Sequence, residues 1–388
     1  GLRLEHAGGR LDTRAWPEVE GKLFLARGEE NTHLEGTLDV DERSGTIGLD
    51  GHIDPRIVFE SIFLGEPEAL QMLRFSEAPV WQGTLQIDPD FAIREVDFSF
   101  DTGPITVRGV GFRSVAGSGW ATREHVSLAD VRIIHPNWTS EGGFAYDLPT
   151  GDYRFQAKGG IIPTDLSPII TAEWWHELFG RFTFEGPAAY ADVDALGNIH
   201  RPVDHDIYIG GHCRDLTFRG VPVRYAQFKT WFPPRYMEIF DLYIERPDGT
   251  VTGDLFWHWR EGSKNNWRTD FDLVSTMPLH VAADLAGKRV NEVVQHFYTE
   301  TPPRVAARGS YYGKHTVRAG ESYLDIEVET PEPIAWKGIP TDSLRFTGRH
   351  NPRQLVLRDM EIGLAGGIAE APANVAAYLP DYQVTTEF

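Results

Sequence analysis

The 388-residue chain contains a single cysteine, Cys213, and four methionines. One thiol excludes an internal disulfide and any thiolate-rich zinc site, and leaves cytosol, periplasm and exterior all open as compartments. Basic residues are also scarce, 37 Lys and Arg against 57 Asp and Glu, for a net charge of −20. Such a surface repels the phosphates that dominate nucleic-acid affinity, so DNA and RNA are excluded as bulk partners. No apolar run reaches the roughly 18 residues that a membrane-crossing helix needs. The first residues, Gly1-Leu2-Arg3-Leu4-Glu5-His6, carry no signal-peptide pattern. Opening on Gly and not Met, the sequence reads as a processed protein or a segment of a longer one. Motifs of covalent and nucleotide chemistry are missing too. No Walker loop, dinucleotide fingerprint or Gly-x-Ser-x-Gly elbow occurs, and Gly117-Ser118-Gly119 lacks the strand-to-helix setting that activates a serine. No catalytic residue and no cofactor is therefore assigned, and the chain reads as a non-enzyme.

Apolar residues make up 41% of the chain, enough for a folded body, while 39 glycines and 25 prolines are too many breakers for long helices. A mainly β protein is expected. The sequence also repeats itself. Arg108-Gly109-Val110, Arg219-Gly220-Val221 and Lys337-Gly338-Ile339 place three glycines 111 and then 118 residues apart, and an aspartate follows each at 21 residues: Asp130, Asp241 and Asp359. Pro55, Pro163 and Pro278 recur at 108 and 115. Each proline opens a stretch with apolar residues three and four apart, at 56–75, 164–182 and 279–297, which predicts one short amphipathic helix per copy.

Elsewhere apolar and polar residues alternate, as in Asp97-Phe98-Ser99-Phe100 and Leu324-Asp325-Ile326-Glu327-Val328, the period of a strand with one apolar face. Pro149-Thr150-Gly151-Asp152 and Pro247-Asp248-Gly249-Thr250 read as turns. These landmarks divide the chain into 1–54, the tail of a preceding repeat, then repeats 55–162, 163–277 and 278–388. No linker separates them, so the expectation is one elongated sheet that grows by addition, each copy covering its neighbour's edge. Three independent small β domains are the alternative.

A Gly-(Val/Ile)-Pro strand after the repeated glycine, the long gap, an apolar strand ending in Asp-φ-x-Ile, and Gly-centred turns at Gly142-Gly143, Gly253 and Gly366-Gly367 resemble the AsmA-like and TamB-like superfamily, over nearly the whole chain. That resemblance implies a taco-like groove with an apolar interior, and a protein of the diderm envelope that moves phospholipid across the periplasm toward the outer membrane. It implies a periplasmic body tethered to the inner membrane by a segment outside this sequence, touching membranes at the ends of the full-length chain beside envelope partners.

Physical chemistry supplies its own reason for such a groove. Each buried methylene contributes about 0.8 kcal/mol, so an acyl chain needs a continuous dry wall. On strict alternation, Val131 and Ile133, Phe240, Leu242 and Ile244, and Met360 and Ile362 share one strand face and form the candidate lining, with Asp130, Asp241 and Asp359 on the other face. The aspartates read as turn or edge residues that bond backbone amides. Two other readings stand beside the conduit: a carbohydrate-binding β protein that stacks sugars on exposed Trp and Tyr, and a scaffold with a closed, packed core. A cluster at His200, Asp204, His205, Asp206, His212 and Cys213 matches no metal-ligand spacing and reads as a solvated loop, so no metal is assigned.

Overall fold

The computed structural model describes residues 5–52, 54, 72–90, 93–170, 175, 176, 179–201, 204–259, 267–286, 297–313, 316, 318–330, 332–336, 338–351, 354–364, 366–371, 375–378 and 383–386. The protein is mainly β, built on antiparallel pairing, and the sheet does not close. It divides into two units, residues 1–179 with 190–205 and residues 180–189 with 206–388. These divisions fall elsewhere than at the repeat boundaries.

The first unit opens with β1 (His6–Asp12), β2 (Glu18–Arg27), β3 (Glu30–Asp39) and β4 (Ser44–His52), followed by β5 (Leu73–Phe75), β6 (Val80–Ile87) and β7 (Ile93–Asp101). It continues through β8 (Ile105–Val107), β9 (Val110–Phe112), β10 (Ser114–Thr122), β11 (His125–Ile134), β12 (Thr139–Asp147) and β13 (Asp152–Ile161). Strand β14 (Phe182–Phe184) belongs to the second unit, and β15 (Ala189–Asn198) returns to pair with β13 in the first. Antiparallel ladders join β1, β2, β3, β4, β6, β7, β10, β11, β12 and β13 in that order. The turn expected at Pro149-Thr150-Gly151-Asp152 links β12 to β13, where the Asp147 carboxylate accepts the Thr150 N–H at 2.8 Å and Gly151 takes φ +77°.

The second unit continues with β16 (His205–Phe218), β17 (Val221–Phe232), β18 (Tyr236–Arg246), β19 (Gly249–Trp259) and β20 (Trp267–Ser275). A helix, α1 (Leu279–Ala286), then precedes β21 (Phe297–Thr299), β22 (Arg304–Tyr312), β23 (Tyr323–Thr330), β24 (Ile334–Trp336) and β25 (Ile339–Thr341). The chain finishes with β26 (Ser343–His350), β27 (Gln354–Leu364), β28 (Gly367–Ala371), β29 (Val375–Tyr378) and β30 (Gln383–Thr386). The main ladder here runs β16, β17, β18, β19, β20, β22, β23, β26, β27.

The repeated glycines have a structural cause. Arg108 and Gly109 take φ +46° and +89°, Arg219 and Gly220 take +52° and +80°, and Gly338 takes +82°. Positive φ at both central residues makes the tight hairpin turn whose twist matches its strands, and glycine is the residue that adopts it freely. Each hairpin, β8–β9, β16–β17 and β24–β25, receives a third short strand in the same register: Phe75 opposite Ile105, Phe184 opposite Leu216, Thr299 opposite Ile334. The arginine of the turn recurs with a purpose as well. Arg108 Nη1 donates to the Ile169 carbonyl at 3.1 Å, and Arg219 Nη1 donates to that of Leu285 in α1 at 2.9 Å.

Full burial concentrates at these hairpins. Ile105, Leu216 and Ile334 are 3–4% exposed; Phe112 packs edge-on against Trp138, and Met277 and Val281 of the α1 region close over Val221. The expected helices differ from this picture. Residues 55–71 lie outside the described residues; Pro163–Leu166 form one 3-10 turn, with Pro168 unable to supply the N–H that a continuing helix needs; and α1 spans eight residues before 287–296, again outside the described residues. Trp175, His176 and Phe179 are helical inside the second expected span, and α1 is the one α-helix described from end to end.

Candidate functional site

Antiparallel register puts directly paired residues on the same face of a sheet, so the ladders sort every strand residue into one of two faces. In the first unit one row crosses ten strands as Gly9, Leu23, Leu34, Leu49, Gly83, Phe98, Gly119, Leu128, Phe144 and Phe155. The next row on that face runs Leu11, Gly21, Gly36, Ile47, Leu85, Val96, Ala121, Val126, Tyr146 and Tyr153, again without a charge. The opposite face carries the ions: Lys22 pairs with Glu35, Lys158 with Glu141 at 3.1 Å and Arg154 with Asp194 at 2.7 Å. Held by Arg154, the Asp194 carboxyl stays below the usual carboxylate range.

The second unit follows the same rule. An apolar row crosses it as Gly211, Phe228, Leu242, Gly253, Leu273, Ala307, Ile326, Gly348 and Leu357. Among the described residues, charge reaches this face toward strand ends and at Arg224 near the start of β17. Arg246 is tied to Asp248 at 2.8 Å, and the His350 imidazole is pushed down in pKa by burial. On the other face Arg349 grips Asp325 at 2.5 and 2.6 Å, and Lys229 grips Asp241 at 2.6 Å.

The apolar face is not sealed. Leu11 is 73% exposed, Leu23 and Phe155 are 40%, and Trp257 of the second unit is 46%. Glycines let the backbone close in toward this face. A Cβ at Gly142 would stand 2.0 Å from the Gln156 carbonyl oxygen, and one at Gly253 would stand 1.9 Å from that of Asp272.

Of the predicted lining residues, Val131 and Ile133 lie on the apolar face of the first unit, and Leu242, Ile244, Met360 and Ile362 on that of the second, all half-buried. Ile244 also packs under the Cys213 and Met277 clusters, so part of it is ordinary core. Phe240 is a correction. The β18–β19 register shifts between Ile239 and Leu242, so Phe240 and Asp241 together oppose one residue of β19, and Phe240 pairs with Lys229 on the charged face. Its ring lies 6.5 Å from that of Tyr208, also on that face. Strict alternation fails because the strand carries an extra residue.

The repeated aspartates are that extra residue, not turn or edge residues. Asp130, Asp241 and Asp359 take φ +51°, +53° and +50°, each beside a register shift of an inner strand. Asp and Asn are the non-glycine residues that best tolerate this region. Asp241 donates its N–H to the Asp254 carboxylate at 3.1 Å, and Asp359 accepts from Thr347 Oγ1 at 3.1 Å. A bulge returns the following residues to the face they would otherwise leave, which keeps Leu128 with Val131, Ile239 with Leu242 and Leu357 with Met360.

The His200-to-Cys213 residues are not brought together. Arg201 pairs with Asp204 at 3.2 Å, Asp206 accepts from Trp231 Nε1, and His212 and Cys213 point to opposite faces of β16. No group of three metal-ligating side chains stands together among the described residues. Burial pushes the Cys213 thiol pKa up, which holds it unreactive.

The remaining lining residues, such as Phe98, Leu128 and Leu255, were signalled by their own period-two alternation. Their union into rows was not, since it depends on pairing. No family model matches the chain, no curated protein matches it, and no solved structure matches its fold. What fold and site define is a class: an open antiparallel β protein whose units each carry one apolar and one charged face.

Proposed function

We propose that the chain binds, or passively conducts, phospholipid or another acyl-chain lipid along the apolar faces of its sheets. One observation carries this reading: in-register rows of uncharged residues cross ten strands of one unit and stay partly in water. A hydrocarbon tail laid on such a row gains about 0.8 kcal/mol for each methylene it takes out of water, and meets no charge on the way. A scaffold with a closed core would bury Leu11, Leu23 and Phe155, which are exposed. A sugar site on this face would need carboxylates or amides among the aromatics, and both rows lack them.

In this reading 1–54 is the tail of a preceding repeat, and 55–162, 163–277 and 278–388 are successive copies of one elongated, taco-like groove, each copy with one short crossing helix. The recurrence of the hairpin, its third strand and the aspartate bulge supports it. The setting is the periplasm of a diderm bacterium, with a tether to the inner membrane outside this sequence, membrane contact at the ends of the full-length chain and envelope partners there. A net charge of −20 keeps the body off anionic bilayers between those ends. No covalent step, cofactor or metal is involved. Native mass spectrometry of protein purified from cells tests the reading. Stoichiometric co-purified phospholipid is the expected result, and its absence together with failure to take up lipid from vesicles overturns it.

A further inference from the structure

We propose that the charged face of the first unit carries a second site, for an uncharged glycan. That face is concave over part of its width, as a saddle-twisted sheet is along the diagonal opposite to its other face. The cleft measures about 920 Å³ and is lined by two adjacent polar rows. One holds Glu35, Thr84, Asp97 and Trp120; the other holds His33, Asp50, Gln82, Ser99 and Ser118. This volume falls in the range of sites for small organic ligands, and the strands that line it stand about 4.8 Å apart, so the cleft is long and shallow. Such a floor suits a chain of rings.

The chemistry of the lining selects the ligand. Trp120 is 38% exposed, and its indole is fixed by stacking on His125, with 5.8 Å between centroids and 9° between planes. A rigid, half-exposed indole offers the flat apolar platform on which the C–H face of a sugar ring rests. Around it the side chains of Thr84, Asp97, Ser99 and Ser118 make no hydrogen bond or ion pair with any described residue, so their hydrogen-bonding capacity is free for hydroxyl groups. Asp50 and Gln82 meet at 3.5 Å and add a carboxylate and an amide. Lys22 answers Glu35, whereas Asp50 and Asp97 have no cation among the described residues, so the cleft repels anionic polysaccharides and phosphate headgroups alike. The aromatic position also recurs: 111 residues on, Trp231 stands 39% exposed on the charged face of the second unit, against Tyr236 at 5.5 Å, with its Nε1 bonded to Asp206. In the third copy the place is taken by Arg349, which is committed to Asp325. This site is independent of the lipid reading.

The test is titration of the full chain with oligomers of glucose and of N-acetylglucosamine, followed by calorimetry and tryptophan fluorescence. Saturable binding of one series is expected, weakened about tenfold or more by Trp120→Ala, and unchanged by Trp257→Ala, which removes an indole from the apolar face. If Trp120→Ala alters the far-ultraviolet circular dichroism, Asp97→Leu takes its place with the same expected loss. Polygalacturonate, which carries a carboxylate on each ring, is expected not to bind. Absence of saturable binding by both neutral series, equal affinity in the cleft variants, or binding of polygalacturonate as tight as that of the neutral oligomers overturns the proposal.

Discussion

Aspartate placed at Phe240 and at Leu242, two positions on one strand, separates the faces on which the lipid reading depends. Without a bulge both side chains would project to the same side and both variants would act alike. With Asp241 at φ +53° and the register shifted between Ile239 and Leu242, they project to opposite sides. Full burial of a leucine contributes about 1.5–3 kcal/mol, and Leu242 is already half-buried, so an acyl chain resting on it gains roughly half of that. Leu242→Asp forfeits this gain and adds a carboxylate that must lose water beneath the chain, which lowers lipid occupancy about tenfold or more. Phe240→Asp leaves a carboxylate in water opposite Lys229 and keeps occupancy within about twofold. Occupancy is read by native mass spectrometry and by displacement of a fluorescent fatty acid, with circular dichroism as the check on folding. Equal loss in both variants refutes the division of faces. Equal retention, with the fold intact, refutes the apolar row as the lipid wall.

Three further outcomes follow from the backbone and the charges. Replacing Asp241 by Gly is expected to keep or raise the urea midpoint, and replacing it by Val to lower stability by about 1–3 kcal/mol, because a β-branched residue is costly at positive φ; a Val variant as stable as the Gly variant would contradict the bulge. Gly142→Ala forces a Cβ to 2.0 Å from a carbonyl oxygen and is expected to cost more than 1 kcal/mol, roughly the overpacking range, whereas Gly111→Ala, with nothing within 4 Å, changes little in thermal unfolding. Arg349 holds the Asp325 carboxyl below its usual range through hydrogen bonds, so their contribution is present above the unfolded value of about 3.9 and is lost as pH falls through the lower folded value. Arg349→Gln is therefore less stable than the parent at pH 7 and equal to it once both forms are protonated in strong acid; a difference that persists there would assign the effect to packing.

The three recurring motifs show how far the chain could be read before folding. Gly109, Gly220 and Gly338 were legible as a repeated landmark but read as strand, and only the backbone showed each to be a hairpin turn at positive φ. Period-two alternation in Asp97-Phe98-Ser99-Phe100 marked a strand with one apolar face for the same local reason. The segment after Pro163 was read as one helix; it begins as a 3-10 turn at Pro163–Leu166, which Pro168 cannot continue, and is helical at Trp175, His176 and Phe179.

Sequence alone determined the class of structure, the turns at 149–152 and 247–250 and the absence of charge from alternate strand positions, since each rests on the intrinsic preferences of neighbouring residues. Which face Phe240 joins, how Leu34, Leu49, Phe98 and Leu128 align into one row, and how that row stays open to water were decided only by tertiary structure. Strand pairing is a relation between residues far apart in the chain, and one inserted bulge residue reverses the outcome of any local rule of alternation.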